Sequence, residues 1–198
     1  MTRRALPYGI DGPWQLAALA AGAVLAALLT LVARLCAAPL VVVLAPAAAA
    51  AGLAGCAVTF LHASLRGKFV VWRRLTDALG LSGDETVLDL GCGSGAVMML
   101  LGRHDGAPVR GLLLRSRRDQ HGRHNVRPVA RRRTVLAETV RVLRPGGRLV
   151  MVDVWARGRA EVLASLGMCA VDRRGAGPVM WWCGPLVRTT VVTAVKPR

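Results

Sequence analysis

A glycine-rich run, GCGSG at positions 91–95, stands directly after a short apolar stretch, Thr86–Leu90, and directly before another, Ala96–Leu101. This order predicts a buried parallel strand, a glycine turn and a helix. Glycines adopt backbone angles that other residues avoid, and without a Cβ they let a ligand approach the main chain. The first amides of the helix are free donors that face such a ligand. The pattern therefore predicts a ligand site at the carboxyl end of the strand.

The longer string ETVLDLGCGSG, with an aspartate two residues before the first glycine, resembles motif I of class I S-adenosylmethionine-dependent methyltransferases. A second string, ETVRVLRPGGRLVMVDV at 138–154, is similar to the helix, proline-glycine-glycine turn and fifth strand of that family, and 189–195 resembles its last antiparallel strand. The resemblance implies S-adenosylmethionine as cofactor. It also implies six cofactor-binding residues: Asp89, Gly91, Cys92, Gly93, Ser94 and Gly95.

The chain departs from the family pattern in the 32 residues from 96 to 127, where the family has three further strands with their helices. Since a parallel crossover needs at least about 10–12 residues, this stretch holds one helix and one strand, which we place at 109–114. The family ends its second strand on an acidic residue that binds the ribose hydroxyls, and this chain has Leu113 there. A leucine accepts no hydrogen bond, so we expect cofactor binding weaker by about 1–3 kcal/mol.

The region after the gap holds a histidine and many arginines. His124 lies in a segment that resembles the acceptor-binding region of the family, and it could act as a general base; the competing interpretation is an exposed loop histidine. Eight arginines lie between Arg115 and Arg133, which predicts contact with anionic lipid or a solvated connecting loop. No aromatic residue is interleaved with them, which argues against a nucleic-acid partner.

The five cysteines are scattered, and no two have the C-x-x-C spacing of zinc sites or redox dithiols. No metal site is predicted. An odd, scattered set does not indicate a disulfide framework, so we expect reduced thiols on a cytoplasmic side.

Two uncharged apolar runs, Leu16–Ala33 and Leu35–Leu61, precede all of these motifs. Each meets the requirement of about 18–20 apolar residues for crossing roughly 30 Å of hydrocarbon as a helix. They predict a transmembrane hairpin with helices at about 14–33 and 39–62. Basic residues flank the pair while only Arg34 lies between, which places both ends on the cytoplasmic side. A cleaved signal peptide or two buried helices of a soluble protein are the alternatives.

We therefore predict a transmembrane hairpin in residues 1–64 and a methyltransferase-like domain in 65–198. The expected fold is α/β: a truncated Rossmann-like, three-layer domain whose mostly parallel sheet has strands at 86–90, 109–114, 148–154, about 169–174 and 189–195. With the gap closed, strand 148–154 is expected beside strand 86–90.

The layout of a hydrophobic hairpin followed by this domain resembles bacterial membrane-anchored methyltransferases. The implied function is methyl transfer from S-adenosylmethionine to a small or membrane-associated, lipid-like acceptor, by a multi-pass protein of the cell membrane with its N-terminus and C-terminal domain in the cytoplasm. The alternative is a non-catalytic membrane protein with a degenerate methyltransferase-like domain. A nicotinamide-dependent oxidoreductase is a third option, which leaves the LRPGG strand entry without an explanation.

Overall fold

The computed structural model describes residues 10–81, 85–90, 96–101, 110–114, 129–154 and 156–198. Contacts divide the chain into two compact units. The hairpin unit comprises residues 1–68 together with 178–188, and the sheet unit comprises 69–177 together with 189–198. A short segment from late in the chain thus belongs with the N-terminal helices.

The elements follow one another in this order: α1 Pro13–Leu35, α2 Leu40–His62, a π-helical turn Ala63–Gly67, α3 Lys68–Leu79, β1 Thr86–Leu90, α4 Ala96–Leu101, β2 Arg110–Leu114, α5 Val129–Val142, β3 Arg148–Asp153, α6 Arg159–Ser165, β4 Cys169–Gly175, a 3₁₀ turn Pro178–Met180, β5 Trp181–Cys183, β6 Val187–Arg188 and β7 Thr190–Val195.

Helices α1 and α2 dominate the hairpin unit. Each has 23 residues, which is about 35 Å at 1.5 Å per residue. Both are long and apolar enough, by length and composition, to cross a membrane, which confirms the two predicted apolar helices. Most of their side chains are exposed; Ala26, Val43 and Phe60 are the buried ones. An apolar surface of this extent is typical of helices that meet lipid.

The segment 178–188 is fastened to the C-terminal part of α2. Strands β5 and β6 pair in antiparallel fashion. The amide of Gly184 donates a hydrogen bond to Oγ1 of Thr59 over 3.0 Å. A disulfide joins Cys56 to Cys183, 127 residues apart in sequence. The expectation of reduced, unpaired cysteines is therefore wrong for this pair; a bond across so long a separation has no spacing signal.

The sheet unit contains two separate β arrangements among its described residues. Strands β1 and β2 form a parallel pair, whereas β3, β7 and β4 form an antiparallel sheet with β7 in the centre. The predicted fold class, a mostly parallel three-layer Rossmann-like sheet, is therefore wrong. The strand at 148–154 does not lie beside 86–90; it pairs with β7 along Arg148–Asp153. The prediction that the last strand is antiparallel is correct.

The physical reason for the correction lies in strand pairing. Each predicted strand is a short apolar run bounded by turn residues, and such a run marks a strand without marking its neighbour. The neighbour of β3 is β7, whose backbone groups pair with β3 on one side and with β4 on the other.

The core of the sheet unit lies between the antiparallel sheet and two helices. Its buried members are Leu136 of α5, Leu163 of α6, and Ala156, Met168, Val192 and Ala194. The proline-glycine-glycine turn leads into this layer as predicted: α5 ends at Val142, Gly146 adopts a φ of 75°, and β3 begins at Arg148. Glycine tolerates that left-handed angle without strain.

The ammonium group of Lys196 closes the C-terminal end of α5. Its Nζ donates to the carbonyl oxygens of Val140 at 2.8 Å, Leu143 at 2.7 Å and Arg141 at 3.3 Å. The last carbonyls of a helix have no partner within it, and a cation there also meets the negative end of the helix dipole.

Lys196→Met removes these three donors while keeping most of the apolar stem. We expect it to lower the free energy of unfolding by about 1–2 kcal/mol, because the carbonyls lose a charged partner. Arg198→Met, two residues further along and exposed, is the matched control and should change little. Chemical denaturation of the purified full chain measures both. Equal losses in the two variants would contradict the capping role.

Candidate functional site

Strand β1, helix α4 and strand β2 follow one another in the chain on either side of the predicted glycine run. The two strands run parallel, with Thr86 opposite Arg110 and Leu90 opposite Leu114. Parallel strands joined through a helix bring the carboxyl ends of both strands to the same edge. The glycine run at 91–95 follows β1 in the sequence and lies outside the described residues.

Asp89 is the predicted site residue that the structure describes, and it lies one residue before the end of β1. It is half-buried, and its Oδ2 is buried without a hydrogen-bond partner among the described residues. Burial raises the pKa of the Asp89 carboxyl above its ordinary value, because removal from water disfavours the charged form.

An unpartnered carboxylate oxygen is costly in a protein interior, and natural structures rarely retain one without a reason. A ligand that brings a cationic N–H donor to this edge would satisfy Oδ2 and recover the lost hydration. The α-ammonium of the methionine portion of S-adenosylmethionine is such a donor, so the residue present fits the cofactor that the resemblance implies.

The register places Leu113 of β2 directly opposite Asp89. This is the position at which the resemblance to class I methyltransferases implies a ribose-binding carboxylate. The cradle at the strand ends is therefore acidic on β1 and has no acidic residue at the matching position of β2.

The remaining predicted site residues cannot be placed. Gly91, Cys92, Gly93, Ser94 and Gly95 lie outside the described residues, as does His124. Of the arginine-rich stretch, the structure describes the last five residues, 129–133, which belong to α5. Arg133 is exposed there. Among the residues that the structure does describe, no cluster of three or more His, Cys, Asp or Glu side chains could hold a metal ion.

A cavity of about 220 Å³ lies elsewhere in the sheet unit, between α3 and the antiparallel sheet. Leu75 and Leu79 line it from the helix, and Arg148 and Arg174 line it from β3 and β4. Nη1 of Arg148 donates a hydrogen bond to the carbonyl oxygen of Leu79 at 2.8 Å. This cavity is a gap in helix–sheet packing, and Asp89 is not part of its lining.

Sequence reasoning missed the surroundings of the two adjacent tryptophans. Trp182 packs edge-on against Phe60 of α2, with ring centroids 5.1 Å apart, and the guanidinium of Arg188 lies 5.8 Å from the ring centroid of Trp181. The aromatic pair beside a glycine and a proline was the available signal.

Comparison of the chain with protein-family models, with curated proteins and with solved structures finds no match in any of the three.

Proposed function

We propose that the chain is an S-adenosylmethionine-dependent methyltransferase that binds its cofactor at the carboxyl end of β1 and acts on a small or membrane-associated, lipid-like acceptor. The observation that carries the proposal is the buried Oδ2 of Asp89, which has no hydrogen-bond partner within the part of the chain that the structure describes. The resemblance of ETVLDLGCGSG to motif I gives that oxygen a chemical partner.

In this proposal, the carboxylate of Asp89 accepts hydrogen bonds from the α-ammonium group and orients the methionine portion. The bare backbone of the run at 91–95 lets the cofactor approach the main chain, and the amides that follow are donors to it. The bound cofactor supplies an already activated methyl group on its sulfonium. The chain's own task is then mainly to position the acceptor for in-line approach, with His124 as the candidate base.

We further propose that the protein is a multi-pass protein of the cell membrane, with the N-terminus and the sheet unit in the cytoplasm. The basic residues on both flanks of the helix pair support this orientation, and Arg115–Arg133 would meet anionic headgroups on that side. The Cys56–Cys183 disulfide is the observation against this orientation, because disulfides are rare on a reducing cytoplasmic side.

Calorimetric titration of the full chain in lipid nanodiscs with S-adenosylmethionine tests the proposal. We expect saturable binding with a dissociation constant of roughly 10–1000 µM, since one of the two expected carboxylates is missing. Absence of heat and of any shift in Tm at millimolar cofactor would refute cofactor binding. Transfer of a labelled methyl group to extracted lipids or small molecules tests turnover separately.

The second candidate function is a non-catalytic membrane protein whose domain has lost cofactor binding. The observation that favours it is Leu113 opposite Asp89, together with the separation of the β1–β2 pair from the antiparallel sheet. The two candidates differ in whether the site is impaired or lost, and restoring the missing acceptor distinguishes them.

Leu113→Asp is expected to strengthen binding of S-adenosylmethionine roughly tenfold, because a carboxylate can accept hydrogen bonds from both ribose hydroxyls. Leu113→Asn has nearly the same shape and offers one neutral acceptor, so it should give a smaller gain. Titration of both variants against the wild-type chain measures the effect. No binding by any of the three proteins would favour the non-catalytic candidate.

A further inference from the structure

A groove of about 420 Å³ opens in the hairpin unit, between the two long helices and the segment 178–188. Apart from one glutamine at its edge, the side chains that line it are apolar or belong to the disulfide. They are Gln15, Ala18, Leu19, Phe60, Trp182, Cys183 and Val187.

The groove lies at one end of the helix pair. Gln15 comes two residues after the start of α1, and Phe60 two residues before the end of α2, so each is within about 3 Å of its helix end along the axis. Leu19 lies about 9 Å along α1. In helices that span a bilayer, this depth is the boundary between headgroups and hydrocarbon. Trp14 (82% exposed) and Leu186 (87% exposed), each next to a lining residue in sequence, have the exposed apolar character of that boundary.

The segment 178–188, which forms one wall of the groove, is held against α2. The disulfide from Cys183 to Cys56, the hydrogen bond from Gly184 to Thr59 and the edge-on contact of Trp182 with Phe60 hold the wall to α2 by three different kinds of interaction. A groove whose wall is held in this way keeps its shape when a flexible apolar chain enters or leaves. Packing against a preformed surface is the main source of affinity within a membrane, where hydrophobic transfer contributes little.

The charge around the groove is positive. Arg188 is exposed and adjoins the lining residue Val187. Asp11 is the one acidic residue among the described residues of the hairpin unit, and Nζ of Lys68 donates a hydrogen bond to its Oδ2 at 2.6 Å. The guanidinium of Arg188 therefore complements an anionic headgroup.

We propose that this groove binds the glycerol-proximal part of one acyl chain of an anionic membrane phospholipid, with its headgroup toward Arg188. The apolar lining meets the chain, Gln15 meets the ester region, and the guanidinium meets the phosphate. This site belongs to the hairpin unit and does not depend on the proposed methyl transfer.

Photolabelling of the full chain in vesicles tests the proposal. The vesicles are of phosphatidylcholine with a trace of phosphatidylglycerol that carries a diazirine on one acyl chain, and the labelled residues are mapped by peptide mass spectrometry. We expect label to concentrate on residues 15–19 and 182–187, and excess unlabelled phosphatidylglycerol to compete at least about threefold better than phosphatidylcholine.

Two variants with controls sharpen the test. Ala18→Phe fills the groove and should lower labelling there roughly fivefold, because the ring replaces the chain's packing contacts. Ala20→Phe adds the same ring on another face of α1, outside the lining, and should leave labelling unchanged. Arg188→Gln leaves the groove open and should remove the preference for phosphatidylglycerol while retaining label from the chain.

Label spread evenly over exposed faces of α1, including Val24 and Leu28, would mean ordinary boundary lipid and would overturn the proposal. So would equal labelling in the Ala18→Phe and Ala20→Phe variants. Equal competition by phosphatidylcholine in the wild-type chain would refute the anionic headgroup. None of these readouts requires S-adenosylmethionine, so they remain informative if the chain does not bind that cofactor.

Discussion

Gly67→Ala is expected to lower the free energy of unfolding of the full chain by roughly 3 kcal/mol, since overpacking against backbone cannot relax by rotating a side chain. A Cβ at this position would overlap the carbonyl oxygen of Val179 and lie 2.9 Å from its carbonyl carbon. Gly67 is the buried last residue of the π-helical turn, and the 3₁₀ turn Pro178–Met180 packs directly on it. The substitution therefore pushes the segment 178–188 away from the helices.

The matched control for this prediction is Gly55→Ala, within α2. A Cβ at position 55 meets nothing within 4 Å, and alanine is the better helix former by about 1 kcal/mol, so this change should be neutral or stabilising. Thermal unfolding in detergent, followed by circular dichroism, gives both effects. If Gly67→Ala unfolds at the wild-type temperature, the close packing of the 3₁₀ turn on the π-helical turn is wrong.

Asp89→Asn is expected to weaken binding of S-adenosylmethionine by roughly 10- to 100-fold, which corresponds to the loss of one charge-assisted hydrogen bond. 5′-Methylthioadenosine lacks the α-ammonium group, so its affinity should be the same for the wild-type chain and the variant. Asp172→Asn, which changes an exposed carboxylate of β4, is the control that should leave both ligands unaffected. Equal weakening for both ligands would show that Asp89 supports the fold and does not contact the ammonium.

The same variant has a second expected effect on stability. Burial raises the pKa of Asp89 in the folded chain, so the folded state holds its proton more tightly than the unfolded state. By linkage, the contribution of the carboxyl to the free energy of unfolding is fully present below its unfolded pKa of about 4. That contribution is lost as pH rises through the raised folded pKa. Without ligand, Asp89→Asn should therefore have a higher Tm than the wild-type chain at pH 7. The difference should be only about 2 °C, because the carboxyl is partly solvated.

Measurement of Tm from pH 3.5 to 7 checks this sign. The advantage of Asp89→Asn should shrink toward the acidic end, and S-adenosylmethionine at pH 7 should reverse it by stabilising the wild-type chain more strongly. A variant less stable than the wild-type chain at neutral pH would indicate that Oδ2 has a donor in the folded protein, and the central observation of the proposed function would then fall.

The positions of the strands in the sheet unit were predictable from the chain alone, whereas β5 and β6 of the hairpin unit were not predicted. The predicted stretches 86–90, 109–114 and 148–154 correspond to β1 Thr86–Leu90, β2 Arg110–Leu114 and β3 Arg148–Asp153. Apolar runs bounded by glycine and proline are local signals, because every buried strand must end where the chain turns. The place of Asp89 at the end of β1 follows from the same local pattern.

The pairing of those strands was not predictable in the same way. Expectation placed the strand at 148–154 beside 86–90 because the resemblance implied one continuous sheet. In the structure, Met151 pairs with Val192 and Asp89 pairs with Leu113, in two separate arrangements. Hydrogen-bonding groups of the backbone are the same in every residue, so a strand's neighbour depends on which long-range contacts bury the most surface.

The sequence by itself determined two long apolar helices, the positions of β1, β2, β3, β4 and β7, and an aspartate that precedes a glycine run at a strand end. Only the tertiary structure decided that β7 lies between β3 and β4, that Cys56 bonds to Cys183, and that Trp182 packs on Phe60 to form one wall of a groove. The first set depends on hydrophobic patterns and turn residues within about twenty positions. The second joins residues that are distant in sequence, 127 positions apart for the disulfide, and their encounter leaves no period or spacing in the chain.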